Sequence, residues 1–306
     1  MKKLITLSNE VAEALDQRRP VVALESTVIA HGLPRPVNLE VAQRLQQIVR
    51  DAGATPATIA LLDGELCAGL SPEQVEFIAN SDSIKKVSTR DLPLARAGKW
   101  NAATTVASTI WIAHRAGINV FATGGIGGVH RGSFLDVSAD LPELARTPIV
   151  VVCSGAKIVL DLTATREWLE THGVTVVGYG CDEVPAFYSR SSGLPVDARV
   201  DSADEVLRIV ISQRELGVTS ALIVTVPVPE TAEVSADILE GVIAQSLEEA
   251  KQKQIVGREV TPFLLARMTE ASAGATLQAN IALLENNARI AAHIAVSLSV
   301  DRGIAG

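Results

Sequence analysis

The amino-acid sequence predicts an α/β layered fold with a mixed sheet, and three observations lead to that fold class. Hydrophobic residues make up 47% of the 306 residues but aromatic residues only 3%, so the core has to be built from Ala, Val, Ile and Leu. β-Branched runs such as residues 149–152 are typical of buried parallel strands that are covered on both faces. Strand and helix patterns alternate along most of the chain, and one hairpin signal makes the sheet mixed rather than purely parallel.

The first 80 residues predict helices, one strand and a hairpin. In order, the predicted elements are a short amphipathic helix at 11–15, a strand at 21–29, a helix from Pro36, hairpin arms at 57–62 and 66–70, and a helix from Ser71. Asp63-Gly64 lies between the two arms and favours a tight turn of positive φ. Ser71, Pro72 and Gln74 combine a helix cap, a proline in the first turn and a capping box.

From residue 100 onward the predicted strands and helices alternate. In order, they are a helix at 103–116 that ends at Gly117, a strand at 118–123, a short helix capped by Ser138, a strand at 149–153, a helix from 154–157 to about Gly173, a strand at 174–177, a helix from Ser202 to Leu216, a strand at 221–226, and mostly helix at 235–300. No repeat or linker-like stretch interrupts this pattern, so residues 1–306 are expected to form a single domain.

The net charge and the cysteines exclude several functional classes. A net charge of −8 argues against binding to nucleic acid or to an anionic membrane, whereas a small phosphorylated ligand needs only a local basic pocket. No apolar run is long enough to span a bilayer, and residues 1–19 lack the apolar stretch of a signal peptide. The three cysteines, an odd and small number, are expected to be reduced thiols. These observations predict a soluble cytoplasmic enzyme that acts on a small molecule.

Glu25 is the first candidate catalytic residue. It interrupts the apolar strand that begins at Val21, and a carboxylate in such a place must be paired or have its pKa raised. Two interpretations stay open at this point: a general acid, and a structural carboxylate that accepts hydrogen bonds from nearby backbone.

Lys157 is the most informative candidate. It follows the strand at 149–153 and is predicted to lie in the first turn of a helix, where the positive end of the helix disfavours an ammonium ion. A free amine at that position is the nucleophile that attacks carbonyl-type carbons. Spacing alone does not separate this role from that of a lysine that binds an anion.

The loop at 124–128 contains four glycines and follows a predicted strand. It has neither the dinucleotide-binding nor the P-loop spacing. Glycines here would let backbone N–H groups approach an anion. A tight turn with positive φ is the explanation that the sequence favours.

Acidic and basic residues near these elements predict ligand sites. Asp136 and Asp140 are spaced to share one helix face, and carboxylates without a thiol set suit a hard cation such as Mn²⁺ or Mg²⁺ held mostly through water. Asp140 is alternatively a charge that complements a helix dipole. Lys85, Lys86 and Arg90 form a basic cluster that is either a phosphate pocket or a solvated surface.

Eight longer stretches resemble the pseudouridine-5′-phosphate glycosidase family, which includes indigoidine-synthesis protein A. They are VVALESTVIAHGLPRP at 21–36, KVSTRDLP at 86–93, NAATTVASTI at 101–110, VFATGGIGGVHRG at 120–132, DVSADLPELA at 136–145, VVVCSGAK at 150–157, TPFLLARM at 261–268 and LQANIALLENNA at 277–288. The resemblance implies a three-layer α/β/α sandwich with a mixed, mostly parallel sheet, assembled as a homotrimer.

Members of this family cleave the carbon–carbon glycosidic bond of pseudouridine 5′-phosphate reversibly, giving uracil and ribose 5-phosphate. The resemblance implies that Glu25 is the proton donor, Lys157 the nucleophile and Asp136 the ligand of one Mn²⁺ ion. The substrate-binding residues that it implies are Lys86 at the phosphate, Val106, Ser138, Ala139, Asp140 and Asn280. The chain departs from the family pattern in a loop at 132–136 that is shorter by about two residues, and in Thr89, where an arginine is frequent.

A lysine nucleophile suits a C-glycoside, because there is no leaving-group oxygen for a pair of carboxylates to protonate. In the implied reaction Glu25 protonates the ribose ring oxygen while Lys157 attacks the anomeric carbon. The opened sugar, held as an iminium, permits carbon–carbon cleavage, and water releases ribose 5-phosphate. On the residues alone, two alternatives remain: another imine-forming sugar-phosphate lyase or aldolase, and a non-catalytic nucleotide-binding protein.

Overall fold

The computed structural model describes residues 4–132, 135–255 and 260–304. Its helices are α1 Asn9–Asp16, α2 Val37–Asp51, α3 Pro72–Asn80, α4 Leu92–Ala97, α5 Val106–Ala116, α6 Asp140–Leu144, α7 Leu162–Thr171, α8 Ala203–Glu215, α9 Ala236–Gln252, α10 Val260–Ala271 and α11 Ala275–Ile304. Its strands are β1 Ile5–Leu7, β2 Val21–Glu25, β3 Thr55–Leu62, β4 Glu65–Ala68, β5 Lys85–Val87, β6 Ala102–Thr104, β7 Val120–Ala122, β8 Val129–His130, β9 Val150–Cys153, β10 Leu160–Asp161, β11 Thr175–Tyr179, β12 Ala198–Val200 and β13 Leu222–Thr225.

The main sheet has the strand order β1-β4-β3-β2-β7-β9-β13-β11-β12, with β6 beside β3 and β5 beside β6. The central pairs are parallel: Ala23 of β2 lies opposite Phe121 of β7, which lies opposite Val151 of β9. Antiparallel pairing occurs where β3 meets β4 and β6. The sheet is therefore mixed and mostly parallel, as predicted.

Helices flank this sheet, as expected for a three-layer α/β/α sandwich. α5 packs against β2, β3 and β4, whereas α11 packs against β2, β7 and β9 with α2 and α8 alongside. The strands facing them are fully buried and aliphatic, for example Val150–Cys153. None of the helices in the described ranges combines the length and the apolar character that a membrane span requires.

Three local turn and cap signals agree with the fold. Asp63 and Gly64 have positive φ angles of 48° and 76° and connect the antiparallel strands β3 and β4, so the predicted hairpin is confirmed. The capping box of Ser71 and Gln74 at the start of α3 is present, and Gly117 ends α5 in the left-handed conformation.

Three predicted element boundaries were wrong. The strand predicted at 21–29 ends at Glu25, and Val28–Gly32 forms a helical turn. The helix predicted from residue 103 begins at Val106, because Ala102–Thr104 is a strand paired with β3 and β5. The short helix predicted to be capped by Ser138 begins at Asp140 with Ala139 at the cap position, although the Ser138 hydroxyl does accept from the Asp140 N–H at 3.3 Å.

The fourth correction concerns the segment after β9. The helix predicted from residues 154–157 begins only at Leu162, with Asp161 as its side-chain cap. Ala156 instead forms a parallel bridge with Ile126, and β10 pairs with β8. This long-range pairing keeps the chain extended where local pattern predicted helix.

Candidate active site

A cavity of about 420 Å³ opens at the carboxyl ends of β2, β7 and β9, where open α/β sheets bind ligands. Each of these three strands leads directly into the cavity. β2 ends at Glu25, β7 leads to the four-glycine loop at 124–128 (the glycine loop), and β9 leads to the segment that contains Lys157. The cavity also includes all the other site residues predicted from the sequence, namely Lys86, Val106, Asp136, Ser138, Ala139, Asp140 and Asn280.

Glu25 is only 7% exposed and its carboxyl group accepts a hydrogen bond from the Thr123 hydroxyl at 2.5 Å. Burial raises the pKa of Glu25, and the neighbouring charge of Asp140 acts in the same direction. The cations Lys157 and Lys86 and the hydrogen bond from Thr123 oppose this rise in pKa without cancelling it. The raised pKa suits Glu25 to hold and donate a proton.

Lys157 lies in the segment between β9 and β10 and is half-buried. Its backbone N–H donates to the Ile126 carbonyl at 3.1 Å, which anchors this segment to the glycine loop. The predicted place in the first turn of a helix is wrong, since α7 begins five residues later, so the helix dipole gives no reason for a neutral amine here. Both residues line the same cavity, and the charge of Lys157 lowers the pKa of the buried Glu25.

The glycines of the loop at 124–128 do not form the tight turn of positive φ that the sequence favours. Gly124, Gly125, Gly127 and Gly128 are not among the glycines with positive φ, so the explanation by positive φ was wrong. A Cβ atom on Gly127 would lie 2.6 Å from Oδ2 of Asp140. The Gly127 N–H donates to that same oxygen at 2.8 Å, so the anion that the loop approaches is a side chain of the protein itself.

Asp140 connects this loop with α5. Its second oxygen, Oδ1, accepts from the N–H of Ala107, the second residue of α5, at 2.9 Å. The carboxylate is buried and complements the positive end of that helix. With both oxygens engaged, Asp140 positions the loop and the helix start around the cavity.

Asp136 is separate from Asp140. The prediction that both lie on one helix face was wrong, because α6 begins at Asp140, while Val137 bridges to Val129 and the Asp136 carbonyl accepts from the His130 N–H. The Asp136 side chain is exposed, lines the cavity and accepts no hydrogen bond from the residues that the structure describes. Ser133 and Phe134 of the shortened loop lie outside the described residues.

The exposed carboxylate of Asp136 is the kind of ligand that a hard cation prefers, and it would hold such an ion alone. Within the described parts of the chain, no group of three or more His, Cys, Asp or Glu side chains converges on one point. A Mn²⁺ or Mg²⁺ ion bound through Asp136 would therefore complete its oxygen shell with water or with substrate oxygens, as such ions commonly do.

The predicted basic cluster divides between the cavity and the surface. Lys86 and Arg90 line the cavity together with Ser88 and Thr105, beside the start of α5. Lys85 instead stacks over the Trp100 ring, with its ammonium 3.7 Å from the ring centroid. The cavity thus includes cations and hydroxyl groups beside the start of α5, a set that suits a phosphate.

Three residues in or beside the site had no signal in the sequence. Thr123, which donates to Glu25, reads locally as the end of a strand. His31 lines the cavity from the helical turn after β2. Phe187 also lines it, with a positive φ of 63° and its N–H donating to the Ser154 carbonyl at 3.0 Å. Thr123 and Phe187 reach the site through contacts between segments that are distant in sequence, and no local sequence pattern predicts such contacts.

Comparisons with known proteins agree with this geometry over nearly the whole chain. The family model described as indigoidine synthase A like protein matches residues 10–297. A pseudouridine-5′-phosphate glycosidase of Geobacillus kaustophilus is 49% identical over 301 residues, which are 98% of this chain and 100% of the relative. The enzyme of that name from Caldanaerobacter subterraneus is also 49% identical, over 98% of both chains.

Two solved structures are similar in fold as well as in sequence. The prealnumycin C-glycosynthase AlnA, solved in complex with ribulose 5-phosphate, has a TM-score of 0.91 and 40% identity and covers 99% of this chain and 100% of its own. An indigoidine synthase A (IdgA)-like protein of Thermotoga maritima has a TM-score of 0.89 and 42% identity, with 97% of both chains covered.

Proposed function

Because the chain belongs to the family of indigoidine synthase A like proteins, we propose that it is a pseudouridine-5′-phosphate glycosidase. Its substrate is then a C-nucleoside phosphate, which it cleaves reversibly to uracil and ribose 5-phosphate. Relatives of nearly equal length have this name, and one solved neighbour is a C-glycosynthase that binds a pentose phosphate. The observation that supports the proposal most strongly is the cavity in which a buried carboxyl group of raised pKa lies close to a lysine.

The reaction begins at the sugar ring. Lys157 attacks the anomeric carbon as Glu25 donates its proton to the ring oxygen, so the carbon–oxygen bond breaks and the ribose chain opens. The attacking nitrogen then loses a proton and becomes a secondary amine, whose lone pair drives cleavage of the bond to uracil; the uracil C5 takes up a proton, which balances the proton lost from nitrogen. The sugar is left as an iminium on Lys157, and water hydrolyses it to ribose 5-phosphate and the free amine.

Phosphate recognition belongs to the basic and hydroxyl residues of the cavity. Lys86 is the charged contact, and Val106, the first residue of α5, lines the cavity. Asp140 acts on the substrate through the loop and helix that its two hydrogen bonds hold in place. Ser138, Ala139 and Asn280 line the remaining wall, where the sugar and the base have to fit.

A divalent cation, Mn²⁺ in this proposal, belongs to the exposed carboxylate of Asp136. When bound, the ion supplies a positive charge that orients oxygen atoms of water and substrate. Lys157 remains the nucleophile and Glu25 the acid.

The proposed assembly is a homotrimer of single-domain chains, residues 1–306, in the cytoplasm. The aliphatic helices α9, α10 and α11 supply enough apolar side chains for an interface as well as a core. The cysteines Cys67, Cys153 and Cys181 are free thiols, as suits a reducing compartment. Light scattering should give three times the chain mass at micromolar protein, and a stable monomer would contradict this assembly.

Uracil release is the experiment that tests the function. The purified protein with Mn²⁺ should convert pseudouridine 5′-phosphate to uracil and ribose 5-phosphate, detected by chromatography, and should form the substrate again from those products. The Lys157→Arg and Glu25→Gln variants serve as controls that keep the fold but lack the amine or the acid. Failure of the wild-type protein to release uracil would refute the assignment and would leave an imine-forming aldolase or lyase as the next activity to assay.

A further inference from the structure

Asn287 is a fully buried polar side chain on α11 that the proposed mechanism does not use. Its Nδ2 donates to the Thr123 carbonyl at 2.9 Å. The Ser154 hydroxyl lies 3.1 Å from Nδ2 and 3.3 Å from Oδ1 of the same side chain. One amide group therefore connects the residue after β7 with the residue after β9.

Those two strand ends lead directly to the proposed acid and nucleophile. The Thr123 hydroxyl donates a hydrogen bond to Glu25, so the position of the Thr123 backbone determines where the Glu25 carboxyl group is held. Ser154 begins the segment that leads to Lys157, and its carbonyl also accepts from the N–H of Phe187, which lines the cavity. Ser154 and Gly124 are joined directly as well, by a backbone hydrogen bond of 2.8 Å.

α11 is pressed closely against this point of the sheet. A Cβ atom on Gly124 would lie 3.1 Å from Leu283, 3.3 Å from Leu284 and 3.5 Å from Oδ1 of Asn280. Asn280 is seven residues, two helical turns, before Asn287 and lines the cavity. A shift of α11 along the strand ends would move Asn280 with it.

We infer that Asn287 is a positioning residue that sets the distance between Glu25 and Lys157 by connecting the strand ends after β7 and β9, and that it fixes the register of α11 against them. This inference rests on the proposed function. Loss of the amide leaves the buried Thr123 carbonyl without the side-chain donor that it has in the native fold. The expected consequence is a looser acid–nucleophile pair with the substrate contacts intact.

The test compares Asn287→Ala and Asn287→Asp with the wild-type protein. The carboxylate of Asn287→Asp is nearly isosteric and still accepts from Ser154, but it cannot donate to the Thr123 carbonyl. The control is Asn286→Ala, which removes the neighbouring, half-buried amide, whose Nδ2 lies 3.5 Å from the Pro227 carbonyl oxygen. Uracil release gives kcat and KM per folded protein, and hydrogen exchange is followed at 120–124 and 150–158.

We expect kcat to fall on the order of 10- to 100-fold in both Asn287 variants, as for a small misplacement of reacting groups, with KM changed by less than about threefold. Hydrogen exchange should accelerate at both strand ends, and Asn286→Ala should match the wild type in every readout. A lower melting temperature with unchanged kcat would make Asn287 merely structural and would overturn the inference, as would exchange that stays slow at either strand end.

Two further measurements keep the test decisive. If Asn287→Ala does not fold, Ser154→Ala removes one of the same hydrogen bonds from the other side and should lower kcat in the same way; unchanged kcat there would count against the inference. If the wild-type protein releases no uracil, the proposed function fails on its own, and hydrogen exchange of the Asn287 variants still decides whether this residue holds the two strand ends together.

Discussion

The hydrogen bond from Thr123 to Glu25 gives a sharp prediction for the pH dependence of the enzyme. The Thr123 hydroxyl donates to the carboxyl group at 2.5 Å inside the fold, which stabilises the ionised form and lowers the pKa of Glu25 against the larger effect of burial. Thr123→Val keeps the size of the side chain and removes the donor. A hydrogen bond to a charged group contributes about 1.5–3 kcal/mol, which corresponds to about 10- to 150-fold in proton affinity.

The sign follows from the role of Glu25 as the acid. Without the hydroxyl the pKa of Glu25 rises further, so its protonated form persists to higher pH. The alkaline limb of the kcat/KM profile therefore shifts to higher pH in Thr123→Val. Thr123→Ser keeps the donor and is the matched control, with a limb close to that of the wild type. The profile is measured by uracil release across the pH range. An alkaline limb that stays in place in Thr123→Val would refute the assignment of Glu25 as the group that governs it.

Further predictions concern the acid, the phosphate, the metal and the glycine loop. Glu25→Gln should lose uracil release yet melt at a higher temperature than the wild type at neutral pH. Burial raises the pKa of Glu25, so ionisation of this carboxyl group destabilises the wild-type fold as pH rises from 4.5 through the pKa of the folded state. Below pH 4.5 the melting temperatures of the two proteins should coincide. Lys86→Ala should lose about 1.5–3 kcal/mol in kcat/KM for pseudouridine 5′-phosphate and almost nothing for unphosphorylated pseudouridine, and equal losses would give Lys86 another role. Chelation should lower uracil release and Mn²⁺ should restore it unless Asp136 is replaced by Ala; full activity after exhaustive chelation would contradict the metal site. Gly127→Ala should destabilise the fold by about 1–3 kcal/mol through overpacking, whereas Gly241→Ala, in an open helical position, should not, as thermal unfolding can show.

The parts of the fold that follow from local chemistry were predictable. The turn at Asp63-Gly64 and the capping box at Ser71 are set by residues within four positions of each other, and both are present. The buried aliphatic strands, including β9, were also evident from composition. They place the ends of β2 and β9 at one edge of the sheet, so the cavity at Glu25 and Lys157 was expected in outline.

The remaining features depend on pairing between distant segments. Residues 103 and 104 were predicted to begin a helix, but Ala103 pairs with Ala60 and Lys86 in the sheet. Lys157 was placed in a helix by its neighbours in sequence, and the bridge between Ala156 and Ile126 keeps it out of one. Tertiary pairing overrides weak local propensity in both places.

The charged members of the site had signals of their own in the sequence, whereas the neutral residues Val106, Ser138, Ala139 and Asn280 were predicted only through the family resemblance. A lone carboxylate in an apolar strand is conspicuous in a sequence, whereas Thr123 and Asn287 look ordinary until the folded chain brings them to Glu25 and Ser154. The specific roles of the charged residues came from the resemblance to a known family. The residues alone left Glu25 open as an acid or a structural carboxylate, and Lys157 open as a nucleophile or an anion-binding lysine.

Covalent trapping at Lys157 tests the central claim most directly. Incubation of the protein with ribose 5-phosphate and borohydride should add one reduced sugar phosphate per chain, and peptide mass mapping should place it on Lys157. Lys157→Arg, which stays protonated and cannot form an imine, should show neither trapping nor uracil release. An adduct on another lysine, or substantial uracil release by Lys157→Arg, would contradict imine catalysis at this residue and would leave Lys157 as a lysine that binds an anion.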